Sequence, residues 1–91
     1  FRNSPIKRAK LIGLKRNVCI ALGNIGNPIA VPTLITILNS SEPLLRLHAA
    51  WALGKIGGEI TQKMLISALH TERDDSVLEE IHLSLKDMSE C

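Results

Sequence analysis

Between Phe1 and Ser41 the chain has no aspartate or glutamate, although Arg2, Lys7, Arg8, Lys10, Lys15 and Arg16 all stand in that stretch. From Glu42 onward nine carboxylates outnumber five cations, so the formal net charge of +2 hides a basic end and an acidic end. An acid-free opening is the footprint of a surface for polyanions, with lysines simply facing water as the ordinary alternative. Aromatics are nearly missing, Phe1 and Trp51 being the two. With 45% hydrophobic residues the core must be aliphatic, which favours close helix packing over a sheet. Cysteine is scarce as well: Cys19 and Cys91 form neither a disulfide framework nor a metal-binding spacing. Cys19 is expected as a buried thiol, and a reducing cytoplasm is the expected compartment. No apolar run approaches the ~20 residues a membrane-spanning helix needs, and no signal peptide is visible, so no membrane partner is expected. Catalytic constellations are lacking too: no Ser/His/Asp or Cys/His arrangement, no phosphate-cradling glycine loop and no carboxylate pair stands out. His70 and His82 fall on different elements, so no metal site is expected. Ninety-one residues suit one small domain, and a chain opening on Phe1 rather than Met is expected to be a piece of a longer protein.

What the chain does contain is a repeat. Leu45, Ala49, Ala52, Leu53 and Ile56 recur at helical spacing, and Gly57-Gly58 supplies the stop. Ala52-Leu53-Gly54-Lys55-Ile56-Gly57 repeats Ala21-Leu22-Gly23-Asn24-Ile25-Gly26 at an offset of 31. At an offset of 32, Leu45, Ala49, Leu53 and Ile56 fall on Val77, Ile81, Leu85 and Met88. Self-similarity of this period means stacked helical hairpins, each of which buries its apolar stripe only against its neighbours.

Read in order, Ser4-Pro5 starts a short basic helix, about Pro5 to Ile12, which Gly13 stops. Leu14 to Ile25 follows, with Leu14, Val18, Ala21, Leu22 and Ile25 on its core face, and Gly26 and Asn27-Pro28 end it. Ile29 to Leu38 buries Leu34, Ile35 and Leu38, and its copy Ile60 to Leu69 offers Leu65, Ile66 and Leu69. Polar turns at 39–43 and 70–75 lead into helices over about 43–56 and 75–88. The expected architecture is an all-α, α-α superhelix of about three hairpins, 5–12 with 14–25, 29–38 with 43–56, and 60–69 with 75–88.

The string Pro43-Leu44-Leu45-Arg46-Leu47-His48-Ala49-Ala50-Trp51-Ala52-Leu53-Gly54-Lys55-Ile56-Gly57, preceded by Asn27-Pro28-Ile29-Ala30-Val31-Pro32-Thr33-Leu34, resembles the short HEAT-like repeat typified by phycobilisome lyases. A narrower likeness lies in the opening, with Phe1, Ser4-Pro5, Lys7-Arg8, Gly13-Leu14, Arg16-Asn17 and Ala21-Leu22-Gly23-Asn24. It resembles the junction in epoxyqueuosine reductases where the iron–sulfur domain passes into the C-terminal HEAT-like domain. The resemblance implies a junction helix over 1–13 and a HEAT-like repeat domain over 14–91. It also implies a parent oxidoreductase that reduces epoxyqueuosine to queuosine at the wobble position of tRNA, using two 4Fe-4S clusters and cobalamin. Those cofactor sites lie upstream in the family, so this piece carries no cofactor, no metal and no catalysis of its own. Its implied partners are a tRNA anticodon stem-loop and the missing upstream catalytic domain.

Candidate RNA contacts follow from position. Lys7, Arg8, Lys10, Lys15 and Arg16 are the phosphate candidates. Lys15 and Arg16 stand out because a cation in the first turn of a helix opposes the dipole, and helix N-termini receive anions. In a HEAT hairpin the second helices line the concave surface, which puts Leu44, His48, Trp51 and Lys55 there. Asn17, Ile20 and Asn24 take the same places one repeat earlier, and Glu80, Leu83 and Asp87 one repeat later. Trp51 either stacks on a base or packs between repeats. His48 either touches RNA or is solvated, Lys55 suits the helix C-terminus in any case, and Asn17 and Asn24 bond either RNA or backbone. Arg46 is expected to pair with Glu42 four residues earlier and to tie down the inter-helix turn. The alternative function is a protein-interaction scaffold in which Leu44, Leu47 and Trp51 receive a partner helix.

Overall fold

The computed structural model describes residues 5–89, with side chains from Arg8 onward. The expected N-cap at Ser4 lies outside the described residues, as do Arg2 and the side chain of Lys7. Five α-helices and one 3-10 turn make up the described residues, with no strand among them: α1 (Pro5–Ile25), the turn Pro28–Ala30, α2 (Val31–Leu38), α3 (Pro43–Ile56), α4 (Glu59–Thr71) and α5 (Asp75–Ser89). The all-α repeat fold is as expected, and α2 to α5 begin and end within two residues of the expected bounds.

Local chemistry sets these boundaries. Asn27 Oδ1 accepts from the Ile29 N–H at 3.0 Å and opens the 3-10 turn, in which Pro28 takes the first position. Asp74 Oδ1 accepts from the N–H groups of Ser76 (2.9 Å) and Val77 (3.1 Å) and so caps α5. Between α3 and α4 the chain turns on Gly57 (φ 73°) and Gly58 (φ 102°), a pair of left-handed residues that side chains would strain.

α3 is the centre of the stack. It packs between α1 and α5 in one layer, and α2 and α4 lie across that layer. The core is aliphatic as expected: Leu34, Leu38, Leu45, Ala49, Ala52, Leu53, Leu65, Val77 and Ile81 are buried, and Cys19 is fully buried with its thiol pushed up by desolvation. Ile66, expected beside Leu65, is exposed instead.

The first hairpin is not formed. Residues 5–12 and 14–25 are one continuous helix, and Gly13 sits inside it. A lone glycine in a helix costs about 1 kcal/mol relative to alanine, too little to reverse a chain that offers no turn residues around it. The other reversals have such residues, Ser40-Ser41-Glu42-Pro43 and Glu72-Arg73-Asp74. Without a covering helix, most of the expected core face of α1 is bare. Leu14 (63%), Val18 (43%) and Ile25 (70%) are exposed, Ala21 is exposed too, and Leu22 alone is partly buried. An added Cβ at Gly13 meets nothing nearer than Arg16 Nη2 at 4.0 Å. Gly13→Ala is therefore expected to raise stability by about 0.5–1 kcal/mol, seen as a higher urea midpoint with an unchanged slope.

One side chain joins two turns. Arg46 donates from Nε and Nη2 to the two carboxylate oxygens of Glu72, both at 2.9 Å, and from Nη1 to the Ser40 carbonyl at 3.0 Å. The tie to its own turn is as expected, but the carboxylate partner is Glu72 rather than Glu42. Glu42 instead takes an ion pair with Arg8. At the start of α3 a side chain four residues along competes poorly with a carboxylate that the adjacent repeat presents in fork geometry.

Candidate nucleic-acid interface

The residues singled out on α3 share one face. Trp51 is half-buried, its ring lying where a Cβ at Gly23 of α1 would stand, 2.6 Å from Trp51 Cζ3 and 3.0 Å from the Ala52 Cα. The same close approach recurs one repeat on, where a Cβ at Gly54 would stand 2.6 Å from Ser84 Cβ. Each glycine thus lets the next helix of the layer come close, and the ring of Trp51 is held by packing. Lys55 Nζ stands 5.9 Å from the centroid of that ring, within reach of a cation–π attraction. His48 Nδ1 is 2.8 Å from the Leu44 carbonyl, a geometry that assigns the proton to Nδ1.

Ile20 of α1, Leu47, His48 and Trp51 of α3, and Glu80 of α5 line a hollow of about 260 Å³. Beyond Trp51 lies a second hollow of about 450 Å³, whose walls include Lys55, Gln62, Glu80, Ser84 and Asp87. Burial pushes the Glu80 carboxyl above its ordinary range; the Ser84 hydroxyl, which lies 3.2 Å from Glu80 Oε2, and His48 oppose this, and Asp87 adds to it. The three helices thus converge on Trp51, with neutral side chains from α1, a cation from α3 and carboxylates from α5.

The cations of α1 do not form one patch. Lys15 and Arg16 sit in the middle of a long helix, not in a first turn, because the helix does not break at Gly13. Their backbone N–H groups are taken by carbonyls one turn back, so the expected anion site at a helix N-terminus is absent there. Lys10, Asn17 and Asn24 follow one another every seven residues, about 20° apart per step, and form an exposed row adjoining Ile20. Arg16 is half-buried on the α3 side of that row. Lys15 is exposed about 140° round the helix from Ile20, in line with Arg8, which already holds Glu42. Asn17 and Asn24 therefore adjoin Ile20 and the hollow beside His48 and Trp51, with Arg16 on the α3 side of their row, whereas Lys10 stands about 15 Å along the helix from Ile20 and Arg8 and Lys15 lie on another side of α1. The close approaches at glycine have a signal in the sequence: an offset of 32 carries Ala52 onto Ser84, so a small residue faces each of Gly23 and Gly54. The Arg46–Glu72 pair carries no such signal.

Among the described residues no group of His, Cys, Asp and Glu is placed to hold a metal ion, and no helix is long and apolar enough to cross a membrane.

A stack of antiparallel helix pairs at a period of 31–32 residues, with small residues where one repeat meets the next, is an α-solenoid, and the HEAT repeats family matches residues 9–86. The chain belongs to the HEAT repeat family. Within it, the chain is similar to one set of enzymes in particular. It is 39% identical over 74 residues to the epoxyqueuosine reductase of Bacillus cereus, covering 80% of this chain and 20% of that protein. To the epoxyqueuosine reductase of Listeria monocytogenes it is 42% identical over 69 residues, 75% of this chain and 18% of the relative. The crystal structure of a selenomethionine-labelled epoxyqueuosine reductase matches it with a TM-score of 0.75 at 32% identity, over 80% of this chain and 20% of that one. The chain thus spans about one fifth of the length of these relatives.

Proposed function

We propose that the chain is the tRNA-binding module of an epoxyqueuosine reductase-like oxidoreductase, and that it performs no chemistry itself. The observation that carries this reading is the charge of α1, which has cations and no carboxylate along its whole length, in a chain four-fifths of which is similar to those enzymes. Lys10 and Arg16 hold phosphates, and Lys15, on another side of α1, adds only to the positive field of the helix. Asn17 and Asn24 supply hydrogen bonds to ribose and phosphate, and His48 and Lys55 contribute from α3. An unpaired base stacks on Trp51, an interaction worth about 1–3 kcal/mol. Glu80 and Asp87 repel phosphates, so the RNA backbone follows α1 and stays off α5. The electron-transfer chemistry, for which the resembled family uses two 4Fe-4S clusters and cobalamin, belongs to the remainder of the parent protein, and the cytoplasm is where substrate and reductant meet.

The test is a salt titration of binding to an unmodified tRNA anticodon stem-loop with a GUN anticodon, beside a scrambled hairpin. Affinity should fall linearly with log salt, and Lys10→Ala and Arg16→Ala should each flatten the slope by about 0.7–0.9 for every phosphate left without its cation. Arg8→Ala should change it little, because Glu42 already neutralises that guanidinium. Trp51→Ala should weaken binding at every salt concentration without altering the slope. Unchanged slopes in both cation variants would remove α1 from the interface. A second reading, a scaffold for a partner helix, is favoured by the exposed Leu44 beside Leu47 and Trp51, and it requires binding that ignores salt.

A further inference from the structure

One apolar stripe of α1 stands bare. Leu11 (50%), Leu14, Val18 and Ile25 are all exposed on it. At offsets of 31 and 32 from Leu14 and Val18 stand Leu45 and Ala49 of α3, then Val77 and Ile81 of α5, and these four are buried. Besides its neighbours in the layer, each of these helices packs against the helix that precedes it in the chain, α2 against α3 and α4 against α5. α1 has the stripe but lacks the cover.

We infer that an amphipathic helix of the same parent polypeptide, outside these 91 residues, lies antiparallel across α1 on Leu11, Leu14, Val18 and Ile25, as α2 lies across α3. The inference rests on the reading of this chain as about a fifth of a longer enzyme, but not on RNA binding. Charge specifies the occupant further. Lys10 and Lys15 flank the stripe on its two sides and α1 has no acid, so the covering helix carries carboxylates beside its leucines and isoleucines. A second copy of α1 is a poor occupant, since it would bring these lysines against their own kind. The stripe runs about 21 Å from Leu11 to Ile25, the length of a helix of about 14 residues, close to α4 and α5.

The test uses the full-length parent protein, without RNA, with Leu14 and Ile25 replaced in turn by photoreactive benzoylphenylalanine and Lys63 of α4 as an exposed control. Irradiation should give intrachain cross-links at monomer mass from positions 14 and 25 into one segment outside the 91 residues. The two sites should lie about eleven residues apart and in reverse order along that segment, as antiparallel helices require. The control should give no such link. Cross-links joining two copies, links scattered over several segments, or yields no higher than the Lys63 control would each overturn the inference. Salt-dependent binding of the stem-loop is measured separately, so failure of the covering helix and failure of the RNA reading are told apart.

Discussion

Glu72→Ala is expected to destabilise the chain by about 2–4 kcal/mol, read as a fall in the urea midpoint at neutral pH. The Glu72 side chain is 5% exposed and that of Arg46 20%, so removing the carboxylate leaves a part-buried guanidinium whose hydrogen bond to the Ser40 carbonyl remains but whose fork to a carboxylate is lost. It also strips acceptors from the N–H groups of Arg73 (3.2 Å) and Asp74 (3.1 Å), which shape the turn into α5. An exposed pair such as Lys63–Glu59 should by contrast be worth no more than ~0.5 kcal/mol. The Arg46 hydrogen bonds hold the Glu72 carboxyl below the usual carboxylate range, against the opposing effect of burial. A carboxyl whose pKa is lower folded than unfolded adds stability that is complete above the unfolded value of about 4.3 and is lost as pH falls through the folded value. Stability of the unaltered chain should therefore drop below about pH 5 more steeply than that of Glu72→Gln. Parallel pH profiles for the two would show that the pair does not couple to protons.

The second large effect is expected at the glycines where repeats meet. Elsewhere in a helix Gly→Ala stabilises by about 1 kcal/mol, as at Gly13. At Gly54 the added methyl would stand 2.6 Å from Ser84 Cβ and 2.8 Å from its Oγ, and at Gly23 it would stand 3.0 Å from the Ala52 backbone. Ser84 cannot swing clear, because its Cβ is fixed by the α5 backbone, and its hydroxyl, which could turn away, also lies 3.3 Å from the Ala50 carbonyl. Overpacking of this kind costs about 1–3 kcal/mol, so both Gly54→Ala and Gly23→Ala should destabilise despite their better helix propensity. Gly23→Ala should be the worse, since the Ala52 backbone at 3.0 Å blocks it as well as the Trp51 ring at 2.6 Å, and it should also displace Trp51, visible as a shift in tryptophan emission. Ser84→Gly removes the blocking Cβ, so the double variant with Gly54→Ala should recover part of the stability, giving a coupling energy of about 1 kcal/mol or more.

Much of the fold is legible because a repeat states its core twice. The apolar positions of α3 reappear in α5, and Leu34 reappears as Leu65, so the faces of these helices follow from spacing alone. α1 departs from expectation because the same pattern there does not bring the same cover. Leu14, Val18 and Ile25 have the spacing of core residues, but burial needs a second surface, and periodicity on one helix cannot supply it. The candidate site divides in the same way. Leu47, Trp51 and Glu80 share a face by register, whereas the parting of Lys15 from Lys10 depends on α1 being a single rod.

By itself the amino-acid sequence determined the helical class, the 31–32-residue period, the turn positions after Ile25 and the basic-to-acidic gradient, since each is written in residue identity and spacing alone. Only the tertiary structure decided that Arg46 would hold Glu72 rather than Glu42, that Arg8 would be neutralised by Glu42, and that the stripe on α1 would stand bare. Each of these depends on how closely one repeat stacks on the next, and that distance is set where Gly23 meets Ala52 and Gly54 meets Ser84.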